Sequence, residues 1–221
     1  MRTIQSVRQG GLPQYTLQEE CIHVISHLFG ILLGFAILIY SMISRTSIYT
    51  LFSGVIFGTS LILLYTASCC YHGMPRRYRC AKQIMRIADH CSIFILIAGS
   101  STPFTLCVLR SEDTQIGWGF TLFVWAVAAL GIVLLVIDLK KFEKLSILLY
   151  LVMGFGVITQ GGIIQNSIGE TGFALIIAGG ISYLIGLILY SLKIRWTHAV
   201  FHVLCVIGST LHCLCICSYI L

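Results

Sequence analysis

Read from its amino terminus, the chain alternates between long apolar runs and short polar breaks. Seven runs, at 22–43, 48–71, 87–109, 116–137, 145–165, 171–191 and 198–220, each reach the length of about 20 residues that a helix needs to cross the hydrocarbon core. Within them the apolar residues follow one another rather than alternating over ten-residue segments. That pattern predicts helices and not a β-barrel. Only short tails and loops remain, which leaves no room for a soluble domain. The expected architecture is an all-α membrane protein: one seven-transmembrane-helix bundle over 1–221, with 1–21 as a short cytoplasmic tail.

Composition agrees. Of 221 residues, 57% are hydrophobic and only 10% are charged, against about 25% charged in a soluble domain. So few charges cannot cover a water-facing globule. A soluble enzyme, a disordered chain and a nucleic-acid binder are excluded, and a multi-pass protein of the cell or inner membrane is expected. The net charge of +6 reports orientation. With the N-terminus inside, Arg2, Arg8, Arg76, Arg77, Arg79, Lys82, Arg86, Lys140, Lys141, Lys144, Lys193 and Arg195 share the cytoplasmic side, and only Arg45 and Arg110 lie opposite. The positive-inside rule then puts the N-terminus in the cytoplasm and the C-terminus outside. The basic stretch 76–86 is expected to be a juxtamembrane loop near anionic head groups. The first twenty residues lack a short apolar core with a cleavage site, so the first span is expected to be its own signal anchor.

Several features speak to packing. Gly30 and Gly34, and Gly54 and Gly58, are pairs of small residues that let helices approach closely. Cysteine within a span behaves as a small apolar residue, which suits Cys213, Cys215 and Cys217: on a helix the first and last share a face and the middle one points away. Pro103, inside the third span, should kink it, with Ser100, Ser101 and Thr102 re-satisfying freed carbonyls.

Ionisable groups in or beside spans are costly, about 2.5–3.5 kcal/mol for Asp at a helix centre. Here they gather. Glu19, Glu20, His23 and His27 open the first span, Ser68 and His72 close the second, Asp89 and His90 open the third, and His198 and His202 open the seventh. On the assigned topology all lie at one depth, near the cytoplasmic face. His198 and His202 are spaced i, i+4, roughly 6 Å apart at Cβ, the spacing with which one helix offers two ligands to one metal. His72 is the best third ligand, which leaves a fourth position for water. Ser68 shares the face of His72. Asp89 is placed to hold or deprotonate a water activated by Zn2+. His90, about 100° round the helix, cannot face the same point. His23 and His27 form a rival i, i+4 pair, with Glu20 on the same face as His27. With Glu20 they are read as a group behind the ligands, a second or alternative metal site, a proton relay or a rim hydrogen-bond network.

These residues resemble a known family. Glu20-x-x-His23-x-x-Ser26-His27-x-x-Gly30 looks like the first-span signature of hemolysin III proteins. Ser68-x-x-x-His72, Asp89-His90 with Ala98-Gly-Ser-Ser-Thr-Pro-Phe104, and His198-x-x-x-His202 look like their second, third and seventh spans. The family is similar to the adiponectin and progestin receptors and, more distantly, to alkaline ceramidases. The resemblance implies seven helices, an inside N-terminus and a zinc ion near the cytoplasmic rim. It implies zinc ligands at His72, His198 and His202, an aspartate at Asp89 that reaches the metal through water, and a serine at Ser68 beside it. The family usually has Asn where this chain has His23.

Three functions compete. One is a zinc-dependent hydrolase of lipid amides or esters, with Asp89 as general base, Ser68 as polar support, and membrane lipids as partners and substrate source. The second is a cytolytic pore, against which no span shows a continuous polar face. The third is a receptor or homeostasis factor with a structural zinc.

Overall fold

In the computed structural model, residues 11–221 are described, apart from 45 and 193. Arg2, Arg8, Arg45 and Lys193, used in the orientation argument, lie outside the described residues. No strand forms among the described residues. The chain folds into α1 (Leu17–Ile43), α2 (Ile48–Gly73), α3 (Arg79–Pro103), α4 (Thr114–Ile158), α5 (Gly161–Ser191) and α6 (Thr197–Tyr219). A π-helical stretch, Phe104–Leu109, continues α3 to Glu112. These make six helices long and apolar enough to cross a membrane.

Two helices begin well before their apolar runs. α1 begins at Leu17 rather than 22, because Thr16 and Glu19 form a reciprocal capping box that satisfies two otherwise orphaned donors. α3 begins at Arg79 rather than 87. The expectation of a loop over 76–86 therefore holds only as far as Tyr78. Beyond it the basic residues are helical, and Lys82 is turned inward and only 2% exposed.

α4 has 45 residues, about 67 Å at 1.5 Å per residue, more than twice the hydrocarbon thickness. It is not one straight rod. Asp138 is extended (φ −160°, ψ 97°) and its carboxylate accepts from the Lys141 N–H at 3.0 Å, the geometry of a helix N-cap. The fifth apolar run, expected to continue to 165, stops at Ile158. The chain turns at Thr159 and Gln160, and 161–168 form a short helix that breaks from the rest of α5 at Gly169. There φ is +74°, open to glycine without the penalty a Cβ brings.

α1 and α2 cross at glycines. A Cβ on Gly34 would lie 2.9 Å from the Gly58 carbonyl, and one on Gly58 would lie 3.0 Å from the Gly34 carbonyl. The backbones thus meet where the small-residue pairs predict. In α3 the Ser101 and Thr102 hydroxyls donate to the carbonyls of Ile97 and Ala98. The ladder is disturbed after Pro103 as expected, and the local outcome is the π-helical stretch.

Candidate metal centre

Three helix ends converge at one rim of the bundle. Glu19 opens α1, and its Oε1 accepts from the Trp196 backbone N–H at 3.0 Å. Trp196 stands immediately before α6 with φ +70°, a left-handed conformation uncommon for a side chain this bulky. α6 thus starts beside the start of α1, which carries His198 and His202 towards His23 and His27. The end of α2 is held by Lys82, whose Nζ donates to the carbonyls of Met74 at 2.9 Å and His72 at 3.5 Å. A cation at that end also suits the negative pole of the helix dipole. The third Lys82 proton goes to Glu20 Oε1 at 3.1 Å.

Four imidazoles meet inside this frame. His23, His72, His198 and His202 each offer a ring nitrogen within 4.8 Å of the others. Nε2 of His198 and Nε2 of His202 are 3.0 Å apart. Two ligands of a tetrahedral zinc, each about 2.05 Å from it, lie about 3.3 Å apart. The Nδ1–H of His72 donates to Glu20 Oε2 at 2.6 Å, which fixes its tautomer and leaves Nε2 with a free lone pair. Nε2 of His72 and Nε2 of His23 are buried without a hydrogen-bond partner. Buried lone pairs with no donor are what a metal ion satisfies, so this donor set fits one.

The sequence left the role of His23 open, and the structure brings it into the four-histidine group that could hold a metal. His23 is fully buried, with its ring centroid 4.2 Å from that of His72 and 4.4 Å from that of His202. The i, i+4 rival pair splits accordingly. His27 sits one turn deeper, packed on Tyr65 and on His202, and lies outside the ligand group.

Asp89 and Ser68 also lie outside that group. They line an adjoining cavity of about 370 Å³ together with His27, His198 and His202. The Ser68 hydroxyl is buried and faces the Asp89 carboxylate. Isoleucine, leucine and phenylalanine side chains form most of the remaining wall. Phe155 and Ile181 are among them and are about half exposed, so the cavity reaches the outer, lipid-facing surface. Tyr190, on the same wall, donates its hydroxyl to Glu143 Oε1 at 3.1 Å.

Three participants escaped the sequence reading. Tyr15 stacks on His198 with centroids 4.8 Å apart, and burial raises its phenol above the usual range. Nothing in its immediate surroundings in the sequence marks it. Lys82 precedes Asp89 by seven residues, a spacing that shares a helix face, and could have been read so. The Glu19–Trp196 contact spans the whole chain and has no local signal.

Residues 15–213 match the family profile described as "Haemolysin-III related". The chain belongs to this family. Among similar proteins, the "Hemolysin-3 homolog" of Bacillus subtilis (strain 168) is 35% identical over 209 residues, covering 93% of this chain and 96% of its own. The "Hemolysin-3" of Bacillus cereus is 31% identical, covering 93% of both chains. The human "Monocyte to macrophage differentiation factor" is 24% identical over 176 residues, or 75% of this chain and 69% of its own. Haemolysin III membership and six long apolar helices together make this an integral, multi-pass membrane protein.

Proposed function

We propose that this haemolysin III protein is a zinc-dependent hydrolase of lipid amides or esters, with its metal centre at the cytoplasmic rim. The observation that carries the reading is the shared wall. His198 and His202, two members of the metal-ligating group, line the same apolar cavity as Asp89 and Ser68. A cavity that opens to lipid on one side and ends at a metal site on the other suits an acyl chain with its carbonyl at the histidines.

Bound zinc would polarise that carbonyl and lower the pKa of a water molecule. The chain's own residues divide the remaining work. His72, His198 and His202 hold the ion, and Glu20 orients His72. Asp89 takes the proton from the attacking water. Ser68, whose hydroxyl faces the Asp89 carboxylate, would support that base and the water it holds. The apolar walls exclude bulk water and position the chain. A pore is the weaker reading, because the ionisable groups of the cavity, His212 apart, gather at one end.

The topology that suits this function has seven crossings with the N-terminus inside. In support, Asp138 breaks α4 between the apolar runs 116–137 and 145–165, which separates it into two segments. Lys140, Lys141 and Lys144 then fall on the same side as the basic residues between α2 and α3.

Protein purified without chelators is expected to hold about one zinc per chain. His72→Ala, His198→Ala and His202→Ala should each lose it. Wild type should hydrolyse ceramide-like amides, and Asp89→Asn should retain zinc while losing turnover. Fully zinc-loaded wild type that cleaves no lipid amide or ester would overturn the hydrolase.

A further inference from the structure

We propose that His23 is a fourth protein ligand, which keeps the metal centre closed until a substrate displaces it. The inference rests on the metal-centre reading above and concerns the regulation of that site.

His23 touches every other member of the group. Its ring lies 4.2 Å from His72, 4.8 Å from His198 and 4.4 Å from His202, centroid to centroid. Its Nδ1 is already engaged, 3.0 Å from Nδ1 of His72 and 3.6 Å from Glu20 Oε2, and its Nε2 is buried and partnerless. A buried polar atom left without a partner is costly, and coordination would remove that cost. Four imidazoles complete a tetrahedral set. Closed sets of four protein ligands mark structural zinc sites, whereas catalytic sites keep one position open.

The surroundings give His23 a way out. His198 and His202 line the cavity, whereas His23 and His72 do not. A donor arriving from the cavity therefore approaches from the side away from His23. Zinc sites can expand transiently to five ligands, so the newcomer can arrive before His23 leaves. The Glu20 carboxylate, 3.6 Å from His23 Nδ1, lies on the side towards which the released ring can turn. The imidazole leaves neutral, with one ligand contact formed as another breaks and no electron transferred. His23 is accordingly a gate on the site, and Asp89 is free to act on the water admitted.

The test replaces zinc with Co2+ in the purified full-length protein and follows the visible d–d bands during azide addition. Wild type should show bands of a four-nitrogen site that azide leaves unchanged. In His23→Asn, and in His23→Gln as a second variant, cobalt should still bind and azide should shift the bands. Wild-type bands that shift with azide as the variants' do would overturn the proposal, a conclusion that needs no variant to fold. Wild type that binds no cobalt would overturn the metal centre and this proposal with it. Spectra as expected without turnover in any protein would overturn the hydrolase alone.

Discussion

The Oε2 atom of Glu20 lies 2.6 Å from Nδ1 of His72, and the other oxygen of the same carboxylate lies 3.1 Å from Nζ of Lys82. One acidic side chain thus aims an imidazole of the four-histidine group that could hold a metal and is itself neutralised by a buried cation. Carboxylates behind metal-bound histidines raise ligand basicity and fix ring orientation. Glu20→Gln keeps the shape but removes the charge. Metal affinity is expected to fall about 10–100-fold, as read by competition with a chelator of known affinity. Unchanged affinity would show that Glu20 does not orient His72.

Lys82→Met leaves the Glu20 carboxylate without its cation and the end of α2 without its donor. Breaking a buried pair by removing one partner costs about 3–5 kcal/mol. Thermal unfolding in detergent should therefore shift sharply downward. Adding Glu20→Gln to Lys82→Met should recover much of the loss, since no uncompensated charge remains. Equal stability of the single and double variants would show that the pair is not coupled.

Gly58→Leu places a Cβ 2.9 Å from the Leu38 side chain and 3.0 Å from the Gly34 carbonyl. The backbone oxygen cannot give way, so α1 and α2 must separate. Because His23 rides on α1 and His72 on α2, metal content should fall together with stability. Metal analysis and melting of the purified variant check this. A stable, fully loaded Gly58→Leu protein would show that the helices do not cross there.

Gly180 lines the cavity, and a Cβ there meets nothing within 4 Å. Gly180→Phe should therefore fold and hold its metal while filling space meant for an acyl chain. The expected result is wild-type zinc content with a loss of lipid turnover of at least about tenfold, or 1.4 kcal/mol. Full turnover would place the substrate elsewhere.

Membrane insertion, the helical character and the rim enriched in polar groups were legible in the chain alone. Each depends on composition within one segment, and hydropathy acts locally. The pairing of His198 with His202 was legible for the same reason, because a four-residue spacing sets both rings on one face. Boundaries were read less well. The Thr16–Glu19 box and the Asp138 cap lie in polar sequence, where hydropathy is silent.

Only the tertiary structure decided which side chains meet across helices. It brought His23 into the ligand group, set Asp89 on the cavity wall and turned Lys82 inward. Neighbouring residues on a helix diverge by about 100°, so the facing set depends on how each helix is rotated and where it crosses the next. Those rotations come from contacts distant in sequence, such as Gly34 against Gly58 and Glu19 against Trp196, which no single segment encodes.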